Sequence, residues 1–144
     1  MPPPVDMDVL IALHACDTAT DRALQLGLRA RAAVLLCAPC CHKQIRPQIK
    51  PPEVLRPLLR FGVHFGQEAD MVTDSLRALL LEAAGYRVNV FEFISLEHTD
   101  KNKMISAVRS ASPAPVERLR AQITALKEFY GVQEHELERL LSEG

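Results

Sequence analysis

Two short apolar runs of this 144-residue chain each lead into a group of side chains that could do chemistry. Thiol, imidazole, carboxylate and amine groups are all present, and such groups transfer protons, attack electrophiles and bind metal ions. They are His14, Cys16 and Asp17 after the run Val9–Leu13, and Cys40, Cys41, His42 and Lys43 after the run 32–38. The chemistry that they support depends on whether the chain brings the two groups together.

The two apolar runs are predicted to be neighbouring parallel strands. Each is continuous, too short for a helix and bounded by polar residues, which is typical of strands covered on both faces by helices. The stretch 18–30 between them has the pattern of an amphipathic helix, so the order is strand, helix, strand. Because the carboxyl ends of parallel strands meet at one edge of a sheet, both groups are expected there. We call residues 14–17 and 39–43 the rim.

The thiols leave three interpretations open: a zinc site, a set of reduced thiols, and a nucleophilic cysteine, which would need a thiolate of low pKa near His42 or Lys43. Three cysteines and two histidines of the rim offer enough sulfur and nitrogen donors for a tetrahedral zinc site, but these five residues contain no C-x2-C or H-x3-H pair. The alternative is a set of reduced thiols, either buried or at the rim, which fits cysteines that cluster without a secretory signal. The spacing favours the second interpretation, so no metal is predicted, and Cys37 is expected in the core.

The acidic and basic residues near the rim also have two interpretations each. Asp17 and Asp21 could accept hydrogen bonds from a ligand, or they could cap the helix that begins near Thr18, because carboxylates are favourable at helix N-termini. His42 could take a proton from an attacking hydroxyl or amine, with Lys43 beside it. The alternative for this pair is a solvated loop.

Composition restricts the partners and the compartment. The net charge is −1, so no global positive field indicates nucleic acid. With 48% hydrophobic residues, no apolar run of about 20 residues and no signal-peptide pattern, a cytoplasmic protein without a membrane segment is predicted. Locally, cations outnumber acids, and this basic patch could bind RNA phosphates or be an ordinary charged surface. Its members are Lys43, Arg46, Lys50, Arg56 and Arg60.

The rest of the chain completes an α/β pattern. An apolar periodicity predicts helices over 68–84 and Val116–Tyr130, and a shorter acidic helix over 134–141. Two further strands, Tyr86–Ile94 and 103–108, have a short polar connection and are predicted to pair as an antiparallel hairpin.

This order resembles the C-terminal half of the class I S-adenosylmethionine-dependent methyltransferase fold, whose sheet also ends in an antiparallel hairpin. Two stretches look like sequence motifs of a methyltransferase-like family. They are Leu-His-Ala-Cys-Asp-Thr-Ala-Thr-Asp (13–21) and Pro-Cys-Cys-His-Lys (39–43). Relatives of that family include tRNA 2′-O-methyltransferases with a Cys-Cys-His motif. Lys-Asn-Lys at 101–103 is similar to the segment that enters the last strand of that family.

The resemblance implies a fold, a cofactor and a set of roles. Residues 1–112 would form the C-terminal half of a Rossmann-like methyltransferase domain, with spatial strand order fourth, fifth, seventh, sixth, and 113–144 a helical extension. The reaction would be methyl transfer from S-adenosylmethionine. Catalytic roles fall on Asp17, Cys40, His42 and Lys43. Cofactor-binding roles fall on His14, Cys16, Asp17, Asp21 and Pro39.

The chain departs from that family in one respect. The family binds its cofactor through a glycine-rich loop after the first strand, and no such loop is present in this sequence. We therefore expect a fragment that is inactive alone, or a non-catalytic dimerisation or interaction module derived from the fold. The strand Val9–Leu13 would then have a free apolar edge, which folded proteins avoid. A second copy, a missing N-terminal half or the helix Val116–Tyr130 is expected to cover it.

Overall fold

A computed structural model of the chain describes residues 6–40, 42–94 and 101–143. No helix in these ranges has both the length and the hydropathy that crossing a bilayer requires. Two single 3-10 turns, Arg46–Gln48 and Glu53–Leu55, interrupt the proline-rich segment after the second strand. The strands and α-helices are β1 (Val9–Leu13), α1 (Thr18–Arg29), β2 (Val34–Ala38), α2 (Arg56–Leu59), α3 (Gly62–Ala83), β3 (Tyr86–Ile94), β4 (Lys101–Arg109), α4 (Val116–Tyr130) and α5 (Glu136–Glu143).

The four strands form one mixed sheet in the order β1-β2-β4-β3. β1 and β2 are parallel and in register from Val9 opposite Val34 to Leu13 opposite Ala38. β4 is antiparallel to both of its neighbours, β2 and β3. The predicted strand order, the parallel pair and the antiparallel hairpin are therefore confirmed, and the two strand ends that carry the rim lie side by side.

The hydrophobic core lies on one face of this sheet. Leu35, Ile105 and Ala107 point into it and are almost completely buried. Helix α1 approaches the sheet closely at Gly27, where an added Cβ would lie 2.4 Å from Leu35 Cδ2. Glycine at this position therefore lets α1 pack directly on β1 and β2.

The opposite side of β1 is bare, which corrects the expectation of a strand buried on both faces. Val9, Ile11 and Leu13 are 49%, 60% and 53% exposed. The expectation that the helix Val116–Tyr130 covers this strand is also wrong, because α4 packs against α3 and α5 packs against α1. The apolar character of β1 therefore remains on the surface.

Two helix boundaries differ from the predictions for identifiable reasons. α3 begins at Gly62 rather than at residue 68, because Phe61 is extended and its carbonyl accepts the N–H of Phe65. α5 begins at Glu136, because His135 Nδ1 accepts the N–H of Leu137 at 3.2 Å. The other ring nitrogen of His135 donates to the Thr73 carbonyl at 3.2 Å, and burial lowers its pKa. A residue without a predicted role thus fixes the last helix to α3.

Candidate functional site

The rim brings two thiols from different turns into contact. Cys16 Sγ, three residues after β1, lies 3.3 Å from Cys40 Sγ, two residues after β2. Cys40 Sγ also lies 3.9 Å from the Ala15 carbonyl oxygen. Both cysteines are exposed. This contact follows from the register of the parallel strands, as the sequence predicts.

The turn between β1 and α1 has an unusual backbone. His14 and Asp17 have φ angles of 58° and 50°, a region that costs energy for residues other than glycine. Such strained residues occur frequently at functional sites. Two side-chain hydrogen bonds hold the turn in place. Thr20 Oγ1 donates to the Ala15 carbonyl at 2.8 Å, and Asp17 Oδ1 accepts the Gln44 N–H at 3.1 Å.

The capping interpretation of Asp17 and Asp21 holds for their positions, at the N-cap and in the first turn of α1, but not for the capping hydrogen bond. Asp17 occupies the N-cap position of α1, but its side chain makes no capping hydrogen bond, because the Gln44 N–H from the segment after β2 takes its place. Asp21 is buried, and both of its carboxylate oxygens accept hydrogen bonds from Arg77, at 2.7 and 3.0 Å. Direct contact between Asp21 and a cofactor would require this pair to open.

Arg77 connects α3 to the beginning of α1. Besides the two bonds to Asp21, its guanidinium donates to the Asp17 carbonyl at 3.0 Å and to Asp74 Oδ1 at 3.0 Å. Only 1% of its side chain is exposed. Burial opposes the charge, but the hydrogen bonds and charges of Asp21 and Asp74 raise the pKa of Arg77 above its ordinary value. One buried cation, Arg77, therefore holds the strained turn between β1 and α1.

Asp74 has three cationic or hydrogen-bonding partners, one from the segment after β2, one from its own helix α3 and one from β4. Its carboxylate accepts from His42 Nε2, Arg77 and Lys103 Nζ, each at 3.0 Å. Burial of the carboxyl opposes ionisation, but the hydrogen bond from His42 and the three nearby charges outweigh it and hold the pKa of Asp74 below its ordinary value. We call Asp21, His42, Asp74, Arg77 and Lys103 the charge cluster.

His42 is a member of this buried cluster. Its side chain is only 6% exposed, and Nδ1 lies 2.8 Å from Asp70 Oδ1 at an angle too poor for a hydrogen bond. The solvated-loop alternative is therefore wrong for His42, whereas Lys43 is exposed. The chain thus turns His42 towards α3 and leaves Lys43 on the surface. The role of His42 as a proton acceptor stays a prediction. It requires the imidazole to break its hydrogen bond with the Asp74 carboxylate.

The residues predicted for the site therefore separate into two layers. The inner layer is the charge cluster, which contains Asp21 and His42. The outer layer is the solvent-facing part of the rim, with His14, Cys16 and Cys40 exposed and Asp17 and Pro39 half-buried.

Sequence reasoning missed the members of the cluster on α3. Asp74 and Arg77 lie three residues apart within the predicted apolar helix, so both occupy the buried side. Met71, an apolar residue of the same helix, is 53% exposed. The available signal was a pair of opposite charges inside an apolar helix pattern, which indicates a buried partner elsewhere.

No group of three or more metal-binding side chains occurs within the described ranges, from which Cys41 is absent. Cys37 and Cys40 have the C-x2-C spacing found in zinc sites, but Cys37 is completely buried inside β2. Burial raises the pKa of the Cys37 thiol to about 12, so its thiolate is scarce at neutral pH. Cys37 lies in the core, as predicted.

The described residues fit only part of an S-adenosylmethionine site. The rim supplies carboxylate, imidazole and backbone groups at the ends of parallel strands, where such folds bind ligands. The glycines that the structure describes have other positions: Gly27 lies in α1, Gly62 and Gly66 lie in α3, and Gly85 and Gly131 follow helices with φ angles of 99° and 73°. None of them lies in a turn that leads from a strand to a helix.

A cavity of about 670 Å³ lies away from the rim, among α3, α4 and α5. Its lining includes Leu80, Ile123, His135 and Arg139. It contains no predicted site residue, and one of its two arginines, Arg139, is already paired with Glu136 and Glu143. The chemistry predicted from the sequence therefore belongs to the rim and not to this cavity.

Comparison with known proteins identifies the same part of the chain. Residues 2–48, roughly a third of the chain, match a family model described as a methyltransferase domain. No curated protein and no solved structure matches the chain significantly. The matched segment contains β1, α1, β2 and both turns of the rim. The match supports a methyltransferase domain, and such domains in general use a methyl donor of the S-adenosylmethionine type.

Proposed function

We propose that the rim is the part of an S-adenosylmethionine-dependent methyltransferase site at which donor and acceptor meet, and that the acceptor is RNA. One observation carries the proposal. The segment that matches a methyltransferase domain contains both turns whose side chains the fold brings into contact, with Cys16 and Cys40 3.3 Å apart. The donor, when bound, supplies an electrophilic methyl group.

Some of the proposed residues can contact the donor directly, and others hold those residues in position. Asp17, with one carboxylate oxygen engaged by Gln44, has a second oxygen that can accept from an amino or hydroxyl group of the donor. His14, Cys16 and Pro39 form the adjoining surface. Asp21 acts through Arg77, which holds the Asp17 carbonyl, and is therefore a positioning residue.

The acceptor side lies after β2. Lys43 is exposed and lies three residues after Cys40, whose thiol is also exposed. His42 is held by Asp74, so its direct contribution is to fix the turn that carries Cys40 and Lys43, while proton transfer needs its release. Catalysis in this arrangement depends mainly on holding donor and acceptor in line, an effect that is worth several orders of magnitude in rate.

RNA is proposed because of the basic patch that begins at the rim. All five of its cations are exposed. Arg60 lies over the Phe61 ring at 4.7 Å and Arg46 over the Phe65 ring at 5.8 Å, so the guanidinium groups are held against α3. Planar cations and partly exposed rings together suit phosphates and unpaired bases.

Calorimetric titration with S-adenosylhomocysteine, the demethylated donor, tests the donor site. We expect binding with a dissociation constant below 1 mM, the weak end of specific binding at about −4 kcal/mol. Asp17→Asn should weaken it about tenfold, because one charge-assisted hydrogen bond contributes about 1.5 kcal/mol or more. Glu117→Gln on α4 is the matched control and should bind like the wild type. Absence of heat at millimolar ligand contradicts the donor site.

Fluorescence anisotropy with a single-stranded RNA oligonucleotide tests the acceptor class. Affinity should fall with salt, and the double variant Arg56→Gln/Arg60→Gln should reduce the slope of log K against log salt by about 1.4, or 0.7 for each lost contact. Arg118→Gln/Arg120→Gln removes the same charge from α4 and should leave the slope unchanged. Equal effects of both double variants would contradict a local RNA site.

A second candidate function, self-association, is favoured by the bare apolar side of β1. Val9, Ile11 and Leu13 are exposed on the strand at the edge of the sheet that the described residues form, and the backbone groups of an edge strand can pair with another strand. The occupant that we propose is a second copy of the chain. An antiparallel pair centred on Ile11 would place Val9 opposite Leu13 and the exposed Asp8 carboxylate opposite the exposed His14 imidazole of the other copy. This match makes the edge complementary to itself.

A further inference from the structure

We propose that Cys16 and Cys40 form a modification site, a dithiol that a thiol oxidant such as oxidised glutathione converts to an intramolecular disulfide. The two sulfur atoms already lie 3.3 Å apart, and both cysteines are exposed. A disulfide requires a sulfur–sulfur distance of about 2.0 Å, so side-chain rotation and a shift of about 1 Å close the bond. The proposal does not depend on whether the rim binds a methyl donor.

The reaction consists of two thiol–disulfide exchanges. One thiolate of the pair attacks a sulfur of oxidised glutathione, so that the glutathione disulfide breaks and one glutathione thiolate leaves. The second protein thiolate then attacks the mixed disulfide and releases the other glutathione. In total the protein loses two protons and two electrons, and oxidised glutathione is reduced to two molecules of glutathione.

The surroundings make this pair different from the other described cysteine. Cys37 is completely buried in β2, and burial raises its pKa to about 12, so it stays a thiol under the same conditions. The Cys16–Cys40 pair joins two turns that are 24 residues apart in the sequence and are otherwise tied by the hydrogen bond from the Gln44 N–H to Asp17.

Closure would fix the rim covalently. Cys16 lies between His14 and Asp17, whose positive φ angles show a strained turn, and Cys40 precedes the segment that contains His42 and Lys43. A bond between them prevents the two turns from separating. The oxidised protein therefore presents one fixed arrangement of the rim, and the reduced protein can open it.

Alkylation and peptide mass spectrometry of the full chain test the site. After incubation with oxidised glutathione, the protein mass should fall by about 2 Da, and a cross-linked peptide pair should join Cys16 to Cys40. When the oxidised chain is unfolded in denaturant before alkylation, two of its four cysteines should resist the reagent, and reductant should restore them. Cys16→Ser and Cys40→Ser should each abolish the cross-link.

Two variants keep the test specific. Cys41→Ser and Cys37→Ser should each retain the Cys16–Cys40 cross-link, with at most a twofold change in its rate of formation. A cross-link that joins Cys40 to Cys41 or to Cys37, that joins two copies of the chain, or that disappears in Cys41→Ser overturns the proposal. Full alkylation of Cys16 and Cys40 after oxidation overturns it as well.

Discussion

Replacing Arg77 with methionine is expected to lower the free energy of unfolding by about 3–5 kcal/mol, the usual cost of removing one partner from a buried ion pair. Methionine keeps most of the apolar stem but leaves the buried Asp21 and Asp74 carboxylates without their common cation. It also removes the donor to the Asp17 carbonyl, so the turn before α1 should loosen. Urea unfolding followed by circular dichroism measures the change.

The control for this prediction is Arg87→Met on β3, where the arginine is exposed. Surface cations contribute about 1 kcal/mol or less, so this variant should unfold like the wild type. Arg77→Met/Asp21→Asn should recover part of the loss, because one uncompensated charge is then absent. A loss below about 1 kcal/mol for Arg77→Met would show that the charge cluster does not hold α1 and α3 together.

Ile11→Lys is expected to weaken self-association about 100-fold if two copies pair along β1. Burial of Ile11 from both copies contributes about 3 kcal/mol, and two lysines would face each other across the two-fold axis. Sedimentation equilibrium should show a concentration-dependent dimer of the wild type and a monomer of the variant at the same micromolar concentrations.

A matched control distinguishes pairing through β1 from nonspecific hydrophobic association. Val63→Lys changes an apolar residue that is 72% exposed on α3, away from β1, and should leave the dimer unchanged. A monomeric wild type at all concentrations, or an equal loss of dimer in both variants, contradicts pairing through β1.

The strands and helices could be predicted because their signals are local, whereas the spatial order of the strands, in which β4 pairs with β2, was implied by the resemblance to the methyltransferase fold. The apolar runs at β1 and β2, the intervening helix and the hairpin of β3 and β4 each follow from patterns within about a dozen residues. Helix α4 has the predicted bounds because Pro115 precedes it and Gly131 follows it with a positive φ angle.

The charge cluster could not be predicted because its contacts join distant residues. Asp21 and Arg77 are 56 positions apart, and Asp74 meets Lys103 from β4. An apolar pattern predicts that a helix side is buried, but not which buried charges meet. For the same reason the capping interpretation of Asp21 does not reveal its hydrogen-bond partner, because Arg77 lies on another helix.

The exposure of one side of β1 could not be predicted for a different reason. The composition of Val9–Leu13 indicates a strand that is covered on both faces, and the sequence cannot specify what covers it. The structure covers one face with α1 and leaves the other to solvent. The rim itself was predictable, because it depends only on two parallel strands being neighbours.

The most direct test of the rim as a donor site is a map of backbone amide shifts in the nitrogen-15-labelled chain during titration with S-adenosylhomocysteine. A donor site at the rim predicts that the largest shifts occur at Ala15, Cys16 and Asp17 and at Cys40 and Lys43. It also predicts that Asp17→Asn reduces them. Shifts confined to the cavity among α3, α4 and α5, or no shifts at millimolar ligand, would contradict it.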